Sequence, residues 1–367
     1  MTTLSAEERT AIQDSVRRLL ADQSTESAVR QTMETETGFD AGIWGQLSDM
    51  GITGLLIDEA HGGSGAGPLE LELVMEEAGA ALLCSPLLAS SVIAANLVKA
   101  LGDADAESRI LPDIASGKRI ATAAITGPAG TWTEDGVAVT ASPEGLLTGE
   151  ASYVLHGQNA DVLLVAAGPE EAIDIYEVDA KAEGVSVEAL PTFDHTLRMA
   201  KITFKGAKGR RINANRPAWD AVRETLDLAL VALAGEQAGG GRKVLEFTVD
   251  YAKNRVQFGR AIGSFQAVKH MASDLLLESE SAISAARNAA RALADRATDA
   301  PAQISLAAFA CKDAYSQITA TAIQMHGGIA FTWAHPAHLY LRRARSAAQL
   351  FGTAAYYRER YIQQLGG

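Results

Sequence analysis

The sequence predicts an α+β protein in which a helical section, a β domain and a helical bundle follow one another. Apolar residues recur at helical spacing up to about residue 118, and again from Pro217 to the end. Between these sections, short apolar runs are separated by Gly, Pro and Asp, a texture typical of antiparallel strands. The expected domains are therefore residues 1–118, 119–212 and 213–367.

The first section contains both a helix start and a clear interruption. Ser5 and Glu8 fit a capping box ahead of an apolar run at helical spacing. The glycine-rich residues 62–67 break the helical pattern, which resumes over 68–76 and 86–101. Because this break lacks a lysine and follows no clear strand, it does not predict a nucleotide-binding phosphate loop.

Six strands are expected in the middle section, and four long helices in the last. The strands are predicted over 120–125, 137–140, 153–155, 162–166, 173–178 and 200–204. The helices are predicted over 217–254, 266–298, 302–325 and 336–364, with Pro217 at a first helical position. Short connections between long helices indicate an antiparallel bundle.

Composition excludes several classes of protein. Hydrophobic residues make up 47% and charged residues 21%, and no long apolar stretch lacks charges, so we expect a soluble chain without a membrane span. The first residues lack the basic segment and apolar core of a secretory signal, which predicts a cytoplasmic location. A net charge of −13 disfavours nucleic-acid binding. Cys84 and Cys311, far apart in apolar segments, are expected to be reduced and buried, and no metal site is predicted.

The break between the first two helices of the bundle carries residues suited to a phosphorylated cofactor. Arg255 can offer a bidentate guanidinium to a pyrophosphate. Gly259 and Gly263 permit tight turns and close backbone approach. We expect Ser264 to cap the following helix, whose N-terminus would face an anion, and Gln266 to present its amide in the first turn. The alternative is an ordinary connection with a solvated arginine.

A second candidate segment, Gln324-Met-His-Gly-Gly328, ends the third helix of the bundle. Its alternative interpretation is a C-terminal cap, which glycine favours, with His326 as a packing residue. His335 and His338 are three residues apart, but no carboxylate completes a metal-binding set, so a structural role is expected for both.

Together these segments resemble the FAD-dependent acyl-CoA dehydrogenase family, over nearly the full chain. Residues 54–65 and 111–117 resemble the family's early turn and its entry into the β domain. The resemblance implies FAD, an acyl-CoA substrate, electron-transfer flavoprotein as acceptor, and a dimer or dimer of dimers. It also implies a set of residues that serve a flavin whose ring lies mostly in the neighbouring subunit: Arg255, Gln257, Phe258, Gln266, Gln324, Gly327 and Gly328.

The sequence departs from the family where a base is needed. In the family a glutamate that precedes Gly-Thr takes the α-proton of the thioester. Here Phe351 precedes Gly352-Thr353, and Phe cannot accept a proton. The family's alternative position falls near Ala229. Glu236, two helical turns further on, is the remaining weak candidate, with a structural role as its alternative.

The flavin-ring side of the β domain also departs from the family. Residues 125–130 are shorter and poorer in hydroxyls than the family's Thr-Glu-Pro-Gly-Ser-rich stretch. Tyr153 and Leu155 stand where the family has tryptophan and threonine, and leucine offers no hydrogen bond to flavin.

This asymmetry leads to one hypothesis and two alternatives. The chain resembles the subunit without the catalytic glutamate in heteromeric α2β2 dehydrogenases of steroid and other bulky acyl-CoAs, where a paralogous partner supplies the base. The alternatives are a self-sufficient homo-oligomer with a displaced base, and a flavin-free acyl-CoA-binding scaffold. Residues 239–241, three glycines, could either make room for a bulky acyl group or allow close helix packing.

Overall fold

The computed structural model describes residues 4–168 and 173–366, so the predicted outer limits 1 and 367 lie outside the described residues. The chain forms two compact units. The first comprises Met1–Leu4, Thr32–Gly67 and Cys84–Ala229, and the second comprises Ser5–Gln31, Pro68–Leu83 and Leu230–Gly367. The three-domain division of the sequence stays a prediction.

Helices fill the first part of the chain, as predicted. At the first of them, Ser5 Oγ accepts from the Glu8 backbone N–H at 3.2 Å and Glu8 Oε2 accepts from that of Ser5 at 2.7 Å, which confirms the capping box. A π-helical turn, Leu88–Ala94, leads into the fifth helix. The helices are α1 Ala6–Gln23, α2 Glu26–Thr32, α3 Ala41–Asp49, α4 Pro68–Ala80, α5 Ala95–Leu101 and α6 Ala104–Ala115.

The middle of the chain forms two four-stranded sheets in the first unit. Their strands are β1 Ala121–Ala124, β2 Val139–Ala141, β3 Leu146–Leu155, β4 Val162–Ala167, β5 Asp174–Asp179, β6 Val185–Ala189, β7 Met199–Lys208 and β8 Arg210–Arg211. The orders are β1-β4-β5-β8 and β2-β3-β7-β6. The expectation of a purely antiparallel domain was wrong in one pair, because β1 runs parallel to β4. The chain between these two strands passes through the other sheet, which supplies the crossover that a parallel pair requires.

The last part of the chain is helical: α7 Ala218–Asn254, α8 Gln266–Ala294, α9 Ala300–His326, α10 Ala337–Ala347 and α11 Ala354–Gln364. The prediction of one helix over 336–364 was wrong. That segment is broken between α10 and α11, where Phe351 has φ +61° and Gly352 has φ +115°. Neither angle is compatible with a right-handed helix. Pro217 lies one residue before α7.

Within the second unit, α4 and α7 approach so closely that glycine is required on both helices. A Cβ added to Gly239 would lie 1.8 Å from the Glu76 carbonyl oxygen, and one added to Gly79 would lie 1.9 Å from that of Glu236. A Cβ added to Gly240 would similarly lie 2.6 Å from the side chain of Tyr315. The glycines at 239 and 240 therefore serve close helix packing, not space for an acyl group.

A row of buried carboxylates on α4, the α4 carboxylate cluster, lies in this contact region: Glu70, Glu72, Glu76 and Glu77. Arginines from α1, α7 and α8 surround it. Their ion pairs are Arg9–Glu70 at 2.9 Å, Arg17–Glu77 at 2.9 Å, Arg242–Glu76 at 3.2 Å, Arg242–Glu77 at 3.3 Å and Arg287–Glu76 at 3.0 Å. Burying an unpaired charge away from water is costly. The arginines therefore provide the counter-charges that allow these glutamates to be buried.

Glu72 is the exception within the α4 carboxylate cluster. It is 1% exposed, and its Oε1 has no hydrogen-bond partner among the described residues. Burial, and then the nearby Glu76 carboxylate, raise the pKa of Glu72 from 4.5 to about 8. Glu72 is therefore a largely neutral carboxylic acid at pH 7.

We predict that Gly239→Ala destabilises the second unit by about 3 kcal/mol, because the new methyl group cannot fit against the Glu76 carbonyl without a backbone shift. Chemical denaturation followed by circular dichroism measures this change. Gly45→Ala is the control: Gly45 lies in α3, and an added Cβ there meets no atom within 4 Å. That variant should gain about 0.5–1 kcal/mol. Equal stability of the Gly239 variant and the native chain would show that the helices can separate without cost.

A second prediction concerns Glu72. Because its pKa is raised in the folded state, its contribution to stability is full below about pH 4.5 and is lost as pH rises toward about 8. Glu72→Gln stays neutral at every pH, so its advantage over the native chain should grow by on the order of 3 kcal/mol from pH 5 to pH 8. Denaturation curves at both pH values provide the measurement.

Glu76→Gln is the matched control for this prediction. Glu76 is equally buried on the same helix but is paired with Arg242 and Arg287, so its neutralisation should destabilise the protein at both pH values. A Glu72→Gln variant whose advantage is the same at pH 5 and pH 8 would contradict a neutral Glu72.

Candidate functional site

A two-stranded hairpin directly follows α7 and carries the predicted Arg255 segment. Its strands are β9 Val256–Gln257 and β10 Arg260–Ala261. Phe258 and Gly259 form the turn with φ +52° and +77°, and two successive residues with positive φ are typical of a type I′ hairpin turn. The Ile262 N–H donates to the Arg255 carbonyl at 2.8 Å and closes the hairpin. The break in the helical pattern is thus a defined structure and not a loose connection.

The side chains of this hairpin project into open space. Arg255, Gln257 and Phe258 are exposed, and the Phe258 ring is 91% exposed. Within the described part of the chain, the Arg255 guanidinium has no hydrogen-bond or ion-pair partner. In contrast, Arg260 lies over the Phe265 ring at 4.0 Å. Arg255 is therefore available to an anionic group from outside this chain.

The start of α8 differs from the sequence-based expectation at one residue. Ser264 does not cap this helix; its hydroxyl donates to the Ala261 carbonyl at 2.7 Å, and Phe265 occupies the N-cap position without a side-chain cap. The Ser264 prediction was wrong because the short 3₁₀ turn Ile262–Ser264 places the helix start one residue later. Gln266 is the first residue of α8 and is exposed. The uncapped N–H groups of the first turn suit an anion.

The second predicted segment forms the end of α9. Gln324, Gly327 and Gly328 are exposed, whereas His326 is 4% exposed. Gly327 has φ +67° and ψ −147°, a region that only glycine adopts readily. A Cβ added to Gly327 or Gly328 would meet no atom within 4 Å. The two glycines therefore leave a bare stretch of backbone that a ligand can approach closely.

Tyr251 and His326 bring the two segments together at one edge of the second unit. The Tyr251 hydroxyl donates to the His326 carbonyl at 3.3 Å, and the two rings stack with centroids 4.5 Å apart. Tyr251 lies one helical turn before Arg255 and His326 immediately precedes Gly327. We call this assembly of the hairpin, the start of α8 and the Gly327–Gly328 turn the flavin-facing edge, after the cofactor that the sequence resemblance implies for these residues.

The flavin-facing edge fits the phosphate-bearing part of a dinucleotide. A free guanidinium, bare glycine backbone and an uncapped helix start are each suited to phosphate oxygens. Two exposed amides, on Gln266 and Gln324, can donate or accept hydrogen bonds. None of these groups is a hydride or proton carrier, so the edge is suited to binding an anionic ligand and not to chemistry.

Phe351 lies in the loop between α10 and α11 and is 2% exposed. A buried lysine holds this loop: Lys312 Nζ donates to the Leu350 carbonyl at 2.8 Å and also to that of Gly352. The Tyr357 hydroxyl donates to the Phe351 carbonyl. Burial lowers the pKa of Lys312 to about 8. The position implied by the resemblance for a base is therefore occupied by an immobilised aromatic ring.

Glu236 is buried in an ion pair. Its Oε1 lies 2.8 Å from Nη1 of Arg343, and the two side chains are 8% and 5% exposed. Arg343 Nη2 also donates to the Leu83 carbonyl at 3.3 Å. Ala229, the other position considered for a base, is buried and carries no titratable group. The structure thus gives Glu236 a partner that explains its burial without a catalytic role.

In the first unit, the β-domain segment that was expected to contact the flavin ring forms hydrogen bonds within the chain. The Thr126 hydroxyl donates to the Ser152 carbonyl at 2.6 Å, and Leu155 is buried. Tyr153 has φ +57° and lies at an irregularity of β3. A Cβ added to Gly130 would lie 3.0 Å from its ring. Thr126 and Leu155 therefore offer little hydrogen-bonding capacity to a ring bound here, whereas Tyr153 is 41% exposed.

Sequence reasoning missed Tyr251 and Lys312 as residues that shape these segments. Tyr251 had a signal, since it lies one turn before Arg255 on the same helix. Lys312 had a weaker one, since it is a lone cation that follows a run of small apolar residues in α9. Cys84 and Cys311 are buried thiols that are not joined in a disulfide bond.

Two features are absent from the described residues. None of their helices has the length and apolarity that crossing a membrane requires. Their His, Cys, Asp and Glu side chains form no group of three or more that could hold a metal ion.

Comparison with known proteins gives matches at both ends of the chain. Residues 6–118 match "Acyl-CoA dehydrogenase, N-terminal domain" and residues 219–366 match "Acyl-CoA dehydrogenase, C-terminal domain". Acyl-CoA dehydrogenase IpdE2 of Mycolicibacterium smegmatis is 32% identical over 348 residues, which cover 95% of each chain.

Two solved structures have the same fold over nearly the whole chain. A chain of the ChsE4–ChsE5 complex from Mycobacterium tuberculosis superimposes with TM-score 0.89 and 28% identity, covering 100% of this chain and 99% of that one. A variant of the Tcur3481–Tcur3483 steroid ACAD gives TM-score 0.88 and 29% identity, with 98% of each chain covered. The predicted fold class is confirmed. The matched segments and these similarities show that this chain belongs to the acyl-CoA dehydrogenase family of FAD-dependent oxidoreductases.

Proposed function

We propose that this chain is the subunit of a heteromeric acyl-CoA dehydrogenase that completes the FAD site of a paralogous partner without supplying the base. The observation that carries the proposal is the contrast between the two kinds of site residue. Phe351 and Glu236, where a base was sought, are buried and immobilised. Arg255 and Gln324, which would serve a cofactor, are exposed.

In this assignment the flavin-facing edge would hold the partner's cofactor by its phosphate-bearing part. The Arg255 guanidinium would pair with phosphate, the Gly327–Gly328 backbone would allow close approach, and the amides of Gln266 and Gln324 would orient the adjoining groups. Gln257 and Phe258 would line the same edge. When bound, FAD supplies the hydride acceptor for α,β-dehydrogenation of an acyl-CoA thioester. The proton acceptor would belong to the partner.

The kind of assembly is supported by the relatives. The ChsE4–ChsE5 structure is a complex of two differently named proteins, and the Tcur3481–Tcur3483 structure is described as a steroid ACAD. We extend both features to this chain as part of the proposal: a paralogous partner, and a bulky, steroid-like acyl-CoA as substrate. Electron-transfer flavoprotein as acceptor and a cytoplasmic location stay predictions from the sequence.

The proposal predicts one FAD per two chains when this chain is co-expressed with its paralogue, and little flavin when it is purified alone. In the complex, Arg255→Met should weaken FAD binding about tenfold or more, because a charge-assisted hydrogen bond to phosphate is lost. Flavin absorbance per protein mass, followed by FAD titration of the stripped complex, measures both. Lys253→Met is the control, because it removes an exposed cation two residues before Arg255, in the last turn of α7.

Three results would contradict the proposal in different ways. A yellow homo-oligomer with one flavin per chain indicates a self-sufficient enzyme. A complex that holds no flavin indicates a scaffold. Unchanged FAD affinity in the Arg255→Met complex would place the cofactor elsewhere.

A further prediction separates the structural role of Glu236 from a catalytic one. Glu236→Gln leaves the buried Arg343 cation without its counter-charge, and breaking such a pair costs about 3–5 kcal/mol. We therefore expect the variant complex to melt several degrees lower, with turnover per bound flavin unchanged. Thermal denaturation and steady-state kinetics check the two parts separately.

Arg343→Gln serves as the matched control, since it removes the other member of the same pair. It should lower the melting temperature in a similar way and also preserve turnover. If Glu236→Gln abolishes turnover while Arg343→Gln does not, Glu236 acts as the base and the proposal fails.

A further inference from the structure

Two imidazoles lie directly behind the Gly327–Gly328 turn. The ring centroids of His326 and His335 are 4.4 Å apart. Tyr251 stacks on His326 at 4.5 Å and meets His335 edge-on at 6.4 Å, and Phe247 lies 5.6 Å and 6.0 Å from the two imidazoles. We call His326 and His335 the imidazole pair. It fills an aromatic enclosure between the end of α7 and the glycine turn.

Hydrogen bonding assigns the protons on His326. Its Nδ1 lies 2.7 Å from the Ala322 carbonyl oxygen, which can only accept, so Nδ1 carries the hydrogen. The other nitrogen, Nε2, is buried and has no hydrogen-bond partner among the described residues. Protonation of Nε2 would therefore create a cation without an acceptor in an aromatic enclosure.

Several charged or titratable groups face the imidazole pair. Glu26 and Arg30 of α2, His338 of α10 and Tyr251 of α7 surround it. Burial lowers the pKa of both His326 and His335. For His335 the nearby His326 lowers the pKa further, and Glu26 opposes this effect. Both rings are therefore neutral in the folded arrangement at pH 7.

The same residues join the two halves of the flavin-facing edge. The His326 carbonyl accepts the Tyr251 hydroxyl at 3.3 Å, Tyr251 precedes Arg255 by one helical turn, and His326 precedes Gly327 directly. We infer that His326 and His335 are positioning residues: packed against Tyr251 as a neutral pair, they hold the Gly327–Gly328 turn against the Arg255 end of α7, so that cofactor retention depends on both rings staying uncharged. This inference rests on the proposed function.

The direction of the pH dependence follows from proton linkage. Below about pH 6.5, free imidazoles take up protons, whereas the closed pair resists protonation. Opening of the aromatic enclosure is therefore favoured as pH falls. Above about pH 6.5, proton uptake does not destabilise the closed arrangement. Each proton taken up on opening weakens cofactor retention as pH falls below that value, by at most about tenfold per pH unit.

FAD affinity of the co-expressed complex between pH 8 and pH 5.5 tests the inference. We expect the native complex to lose affinity steeply below pH 6.5, and His335→Phe, which keeps a ring but cannot titrate, to lose it with about half that slope. At pH 8 the His335→Phe complex should bind FAD about threefold more weakly than the native complex, because the Ala337 N–H loses its acceptor on His335 Nδ1, so the inference is tested by the slope. Tyr251→Phe should bind about three- to tenfold more weakly at every pH, with an unchanged slope, because it loses one hydrogen bond.

The controls separate this inference from the proposed function. His61→Gln removes a histidine in the first unit, paired there with Glu107, and should leave the pH profile as it is. His335→Gln repeats the test in case the Phe variant does not fold. Identical pH profiles for the native complex and both His335 variants would overturn the inference. A complex that binds no FAD at pH 8, or binds it independently of Arg255, would overturn the proposed function instead.

Discussion

The close contact between α4 and α7 is the constraint on which the second unit depends. Gly79 and Gly239 allow the two backbones to touch, and the contact buries the α4 carboxylate cluster. Arginines from three other helices must then converge on α4, because buried carboxylates require counter-charges. The position of α7 is thereby fixed along its second half. The last turn of α7 contains Tyr251 and leads into Arg255. The position of the flavin-facing edge therefore depends on the packing of Gly239 against α4, more than two helical turns away.

The proposed function separates binding from chemistry in a physically simple way. Glu236, the carboxylate considered as a base, is paired with Arg343, and the ammonium of Lys312 fixes the loop at Phe351 by donating to its backbone carbonyls. Groups that could hold an anion are left without partners and exposed. In the proposed role, a cofactor bound at such an edge would gain electrostatic attraction and orientation, and this chain would add no acid or base to the reaction.

Much of the fold could be predicted because helical periodicity and turn residues are local properties of the sequence. The break at 348–353 was missed because helical pattern lies on both sides of it, although Gly352 and the N-cap residue Thr353 are local signals of a break. The parallel β1–β4 pair and the Glu236–Arg343 pair join residues far apart in the chain, which no local pattern encodes. Arg255 and the paired glycines were recognisable because their chemistry is specific at short range, whereas their role with a cofactor stays a prediction.

The hairpin tip has a consequence for the life of the subunit inside a cell. A phenylalanine in a left-handed turn, 91% exposed, costs both backbone strain and hydration. Such a ring is tolerated on a surface that is covered soon after synthesis. If the proposed partner exists, a copy without it would present this tip to chaperones and proteases, and degradation of unpaired copies would keep the amounts of the two polypeptides in balance.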